Sequence, residues 1–459
     1  MRVIRLFFKL VLVGLVGVGL AYFLAGRADG PTIAVLQPAL VGQTGTLEVT
    51  IDTPGGQLDD LSVVVRQGDH AWPLITLGSL GGAELAADGE DRLILTGALG
   101  KDTLPELEAG TASVQVTASR PVLWGLRYSS SETTHEFDIR LTPPRIAVAS
   151  THHYVNQGGA EVILYRVTPP DAESGVRVGD LEYPGFSVAD AGLNAEPSLK
   201  IAIFALLHDQ PVDVPFALYA RDSVGNEGGA QFEHRVFPKT FRRSRISLDD
   251  SFLARVVPPI LEQAPDLDLP TASSEELLAA YLKVNGDLRK INAATIATFA
   301  NQTASVPFWN GAFRQLANSQ VESGFADYRT YVYGGEEVDQ QVHLGFDLAT
   351  TANAPVEAAH RGNVLFADTL GIYGNSVILD HGMGLQSLYA HLSSFDVAVG
   401  DDVTQGQTLG LSGQTGLAGG DHLHFSVLVN GHFVNATEWW DPHWIEDRIV
   451  RKLAEAGVR

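Results

Sequence analysis

Apolar residues follow three different rhythms along the chain. From Leu6 to Ala25 they run on with only Lys9 as a charged interruption; from Pro31 to about Pro238 they alternate with polar residues; from Ile246 to about Thr303 they recur at helical intervals. A run apolar on every face, and close to the roughly 20 residues that span a bilayer, predicts a membrane-crossing helix rather than a buried core helix. Arg2, Arg5 and Lys9 precede the stretch that begins at Leu10, so the short N-terminus is expected to stay cytoplasmic and everything after Arg27 to lie outside. Residues 1–28 therefore read as a signal-anchor that holds the protein single-pass in the inner, cytoplasmic membrane, with its C-terminal bulk in the periplasm or cell envelope. The alternative is a cleaved signal peptide, for which Gly26-Arg27-Ala28 offers a small-x-small site.

The second rhythm has period two. Leu47, Val49 and Ile51 alternate with Glu48 and Thr50; Ala112, Val114 and Val116 alternate with Ser113 and Gln115; Phe216, Leu218 and Ala220 keep the same spacing. These are half-buried strands. The sequence also echoes itself: PTIAV from Pro31 recurs as PRIAV from Pro144, and FDIRLTP from Phe137 as FEHRVFP from Phe232. Two modules are expected, residues 31–143 and 144–240. Together with ARDSVGN from Ala220, they resemble bacterial immunoglobulin-like β-sandwiches. The basic cluster Arg242, Arg243 and Arg245 beyond them is expected to be a solvated linker.

Residues 246–303 are expected to form a helical spacer. Ser273 and Glu276 make a capping box, Leu278, Leu282, Leu288 and Ile291 have helical spacing, and Pro258, Pro259 and Pro265 should divide the region into at least two helices. It is either a packed spacer or an arm over a neighbouring site.

A length of 459 residues predicts about three domains, and 47 glycines with 22 prolines favour a turn-rich, β-dominated chain. The net charge of −23 argues against nucleic acid, whose phosphates would repel it. With no cysteine, disulfides, thiolate ligands and cysteine nucleophiles are excluded, so any metal must be held by histidine and carboxylate.

Eight of the 14 histidines lie between His343 and His443. In VHLGFDL, residues 342–348, His343 and Asp347 share the parity opposite Val342, Leu344, Phe346 and Leu348; in DHLHFSV, residues 421–427, His422, His424 and Ser426 share a face. Two imidazoles on one strand face and a His/Asp pair elsewhere suit a divalent metal. In an unbroken strand, positions i and i+4 stand about 13 Å apart, so a bulge or strand end must bring His343 to Asp347, and Gly345 between them permits either. His391 lies in SLYAHLS, after DHGMG at residues 380–384. His152, His153, His70, His135, His208 and His234 lack persuasive ligand spacing and are expected to be surface or core, as are His360, His381, His432 and His443. The tryptophans of EWWDPHW, residues 438–444, are candidates for a glycan groove or for packing.

Residues 323–444 resemble the zinc endopeptidases of the lysostaphin/LytM type, which cut peptide cross-links of bacterial cell walls. The resemblance rests on His343-x-Gly-x-Asp347, YGNSV from Tyr373, YAHL ending at Leu392, VGDDV from Val399, and His422-Leu-His424. It implies that His343, Asp347 and His424 bind Zn²⁺ while His391 and His422 serve the reaction, on an antiparallel β metallopeptidase domain at residues 305–445 followed by a C-terminal helix at 446–459. By the same resemblance Tyr331 or Tyr333, upstream of the first ligand, is a candidate phenol donor to an oxyanion. The substrate would be peptidoglycan peptide stems, cut at a D,D bond by analogy, with cell-wall machinery as a possible partner. The rivals are a catalytically silent, membrane-tethered activator or scaffold for a cell-wall amidase, and a protease acting on an external protein or peptide.

Overall fold

The apolar N-terminal run folds as one helix, Arg2–Ala25, of which Ile4–Ala25 is long and apolar enough to cross a membrane. The apolar side chains from Ile4 to Leu24 stand exposed, with none of the Ile4–Ala25 stretch buried against the rest of the protein. The structure is a computed structural model describing residues 2–264 and 267–458. Pro265 therefore lies outside the described residues.

The chain divides into two compact units: one runs up to Pro143 and takes in Arg221–Glu227, and the other comprises Pro144–Ala220 and the chain from Gly228 onward. In the first, a four-stranded sheet (Thr32–Gln37, Thr46–Asp52, Arg92–Ala98, Glu84–Ala87) shares one core with a five-stranded sheet (Leu40–Val41, Arg127–Ile139, Gly110–Val122, Asp60–Gln67, His70–Thr76). Leu47, Val49 and Ile51 meet Ala112, Val114 and Val116 in that core. The period-two pattern is thus the buried face, each leucine, valine or isoleucine on it contributing about 1.5–3 kcal/mol on burial.

The second unit opens on a seven-stranded sheet that begins at Arg145–Val148. The echoed segments PTIAV and PRIAV thus both become opening strands, although the sheets they enter differ in size. Its core is continuous with that of the C-terminal region: Val162 and Ile203 belong to the same buried cluster as Leu388 and Val427. Two buried polar ties cross this junction. Glu438 accepts from Asn156 Nδ2 at 2.8 Å and from the Ala160 amide at 2.7 Å, and Lys452 Nζ pairs with Glu161 at 2.8 Å.

Two expectations are corrected. Pro258 and Pro259 do not divide helices; they lie inside Asp250–Glu262. That helix buries Leu253, Val256, Val257 and Ile260, and this apolar stripe outweighs the backbone hydrogen bonds that two prolines forfeit. The arginine cluster is not a linker, because Arg243–Leu248 is a strand parallel to Asp327–Tyr333. Ser244, Ile246 and Leu248 point inward while Arg243 and Arg245 are exposed, so period two was present under the charges.

C-terminal to the spacer helices, an eight-stranded antiparallel sheet carries Gln320–Ser323, Phe346–Ala349, Leu423–Val429, Leu385–Leu392 and Asn375–Gly382 as successive neighbours. The candidate residues converge on it.

Candidate active site

The strand Glu336–His343 belongs to a three-stranded sheet with Arg243–Leu248 and Asp327–Tyr333, and it ends at His343. Leu344 and Gly345 carry the chain into the eight-stranded sheet, where Phe346–Ala349 begins. This change of sheet folds the 13 Å of an extended i, i+4 pair into a contact of 2.9 Å between His343 Nε2 and Asp347 Oδ1. Gly345 is required by space: a Cβ there would stand 2.5 Å from His424 Nε2 and 2.6 Å from Ser426 Oγ.

Asp347 pairs directly with His424 on the neighbouring strand, and Ala390 flanks His424 on its other side. His424 Nδ1 is 2.9 Å from His343 Nε2 and 3.1 Å from Asp347 Oδ1. The next residue after Ala390, His391, takes φ +64°, a left-handed conformation that costs a non-glycine residue on the order of 1–3 kcal/mol. Its ring lies 4.9 Å from that of His422 and 5.7 Å from that of His424, centroid to centroid.

Hydrogen bonds around these groups fix which nitrogens face inward. His343 Nδ1 donates to the Gly324 carbonyl at 3.1 Å, and His424 Nε2 donates at 3.0 Å to Ser426 Oγ, whose own hydrogen goes to the Leu344 carbonyl. In their neutral forms both rings therefore turn a lone pair toward Asp347 Oδ1. Three electron-rich atoms within 2.9–3.1 Å of one another, with no proton between them, repel unless a cation joins them. The triangle approaches the ~3.3 Å ligand spacing of a tetrahedral ion with bonds of 2.0–2.1 Å. Arg329 Nη2 binds the other carboxylate oxygen, Oδ2, at 2.8 Å and leaves Oδ1 to face the two histidines. Such outer contacts orient metal ligands.

His391 Nδ1 donates to the Thr415 carbonyl at 2.7 Å and His422 Nδ1 to the Gly420 carbonyl at 2.8 Å, so both present Nε2. His422 Nε2 lies 3.4 Å from Asp347 Oδ1. Burial pushes the Asp347 carboxyl up, but when the facing ring nitrogens carry protons in place of a metal, attraction to His343 and hydrogen bonds from His343, His422 and His424 together hold it well below its usual range. Burial, reinforced by His422 and His424, holds His391 well below the ordinary imidazole value. Burial likewise brings His424 down to about 4, against the pull of Asp347. For His422 burial acts downward, yet the bond to Asp347 and its charge leave it raised. A cavity of about 100 Å³ faces these groups, walled also by Arg289, Arg329, Tyr373, Leu417 and Gly419.

The chain carries a peptidase family M23 domain, matched over residues 341–436. Relatives align with the same region. The DD-carboxypeptidase/endopeptidase Mpg of Neisseria meningitidis is 41% identical over 95 residues, 21% of this chain and 22% of the relative. The peptidoglycan DD-endopeptidase ShyA of Vibrio cholerae is 39% identical over 94 residues, 20% of this chain and 22% of the relative. Lysostaphin of Staphylococcus staphylolyticus is 35% identical over 124 residues, 27% of this chain and 24% of the relative. The chain thus spans about a fifth of the length of the curated relatives it matches first.

All five residues singled out from the M23 motifs come together. Of the two candidate phenols, neither reaches the cavity: Tyr331 packs on Tyr281, and Tyr333 bonds Asp250. Tyr373 takes a place on the wall, 5.5 Å from His424. His381 is fully buried and satisfied by the Arg361 carbonyl and Ser387. Trp439 and Trp444 are buried packing residues rather than a groove. Arg329 and Arg289 were missed, since each reaches the M23 motifs only through tertiary contact.

Proposed function

We propose that the chain is a zinc-dependent endopeptidase that hydrolyses peptide cross-links of peptidoglycan, at D,D bonds, from an anchor in the inner membrane with its bulk on the outer side. The observation that carries this is the close triangle of His343, Asp347 and His424, with His391 and His422 beside it. The names of the relatives, two DD-endopeptidases among them, support the substrate. Imidazole and carboxylate ligands in a set of three fit zinc at a hydrolytic site.

When bound, zinc polarises a carbonyl and lowers the pKa of water toward about 7. The protein's own groups do the rest. His391, its Nδ1–H tied to Thr415, offers Nε2 as acceptor for the proton of the attacking water. His422, whose Nε2 faces Asp347, keeps a proton there and gives it to the nitrogen that leaves as amine. Water's oxygen joins the carbonyl carbon, the C–N bond breaks, and the products are a carboxylate and an amine.

The amidase-activator alternative gains no support, because all five functional positions are filled. The purified protein should release peptides from cell-wall sacculi in a chelator-sensitive manner. His424→Ala should lose both zinc and release; His391→Ala should lose release and keep zinc. Release by both variants would overturn the proposal.

A further inference from the structure

The spacer contributes a side chain to the catalytic cavity. Its helix Ser274–Lys283 runs through a π-helical turn, Val284–Leu288, into the helix Arg289–Thr298. Such a turn inserts a residue into the helical ladder and re-aims the side chains beyond it, and these turns are frequent at functional sites. Arg289, the first residue after it, walls the cavity beside Arg329, Tyr373 and the histidines.

Arg289 is held in place. Its Nε donates to the Asn285 carbonyl at 3.0 Å and its Nη2 to the Asn285 side-chain oxygen; Asn285, itself fully buried, donates Nδ2 to Asp339 at 2.7 Å. A buried amide is thus spent on orienting a guanidinium, and among the described residues Nη1 keeps no hydrogen-bond partner. The other arginine of the wall, Arg329, is committed to Asp347 and Ser323. The uncommitted positive charge of the cavity is therefore Arg289, in a chain of net charge −23. A fixed guanidinium in a partly desolvated pocket favours a planar anion.

The D,D cross-link supplies one, because the carbon attached to its scissile nitrogen bears a carboxylate. A glycine bridge has no carboxylate beside the bond. We propose that Arg289 is a specificity residue that pairs with a carboxylate on the leaving-amine side, so that the spacer selects D,D cross-links over bridges lacking that group. This rests on the peptidoglycan endopeptidase reading above.

The test uses the full-length, zinc-loaded protein and two cross-linked peptides differing only in whether that carboxylate is free or amidated. Wild type is expected to favour the free acid by about tenfold or more in kcat/KM. Arg289→Gln should bring the ratio to about one, chiefly through KM, and Arg289→Lys should keep an intermediate ratio. Zinc content and melting temperature reveal a variant that has lost its metal or fold, in which case Arg289→Lys decides. Wild-type indifference to amidation overturns the proposal, as does an unchanged ratio in the variants. Faster turnover of both peptides by Arg289→Gln overturns it too, since that makes Arg289 a plug. Failure of wild type to cut either peptide or whole sacculi would instead overturn the endopeptidase reading itself.

Discussion

Asp347 stands directly opposite His424 across two antiparallel strands, and Arg329 grips the carboxylate oxygen that His424 does not face. Removing Arg329 should therefore loosen metal binding without removing a ligand. Arg329→Met is expected to weaken zinc affinity by about 10–100-fold. Competition with a chromophoric chelator measures this, and an unchanged affinity would contradict it.

Gly345 tests the close approach of the chain to His424. With a Cβ placed 2.5 Å from the ring nitrogen, Gly345→Ala must displace His424, Ser426 or its own backbone. Zinc stoichiometry should fall below that of wild type while circular dichroism stays unchanged.

His391 and His422 lie outside the triangle, and substitution should separate chemistry from binding. Each alanine variant is expected to lose about 10²–10⁴-fold in kcat, the usual worth of a positioned acid or base. Zinc content should stay at the wild-type level, as metal analysis would verify.

Glu438 links stability to pH. Burial pushes its carboxyl up to about 7 from 4.5, against the pull of its bonds from Asn156 and Ala160. Between those values the folded state holds a proton that the unfolded state has released, so stability falls as pH rises from about 4.5 to 7, by about 3 kcal/mol at most. Melting curves at pH 5 and pH 8 should show this loss. Glu438→Gln cannot ionise and should lessen it.

The parity of His343 with Asp347 and of His422 with His424 was legible because strand period and side-chain chemistry are both local. Gly345 could be read as a bulge or as a strand end; only the change of sheet after His343 decides between them. Arg329 and Arg289 could not be found this way. Arg329 lies 18 residues before Asp347, and Arg289 belongs to the spacer, so nothing in their own neighbourhood marks them. Pro258 and Pro259 misled for the converse reason: a local rule against proline inside helices yielded to a tertiary apolar face.

The most direct measurement is mass analysis of the termini produced when metal-loaded protein digests purified sacculi, with a chelated and re-zincated sample alongside. New D-alanine carboxyl ends paired with free amines, absent after chelation and restored by zinc, are the predicted result. Intact cross-links in the loaded digest, or the same products after chelation, would contradict a hydrolase built on His343, Asp347 and His424.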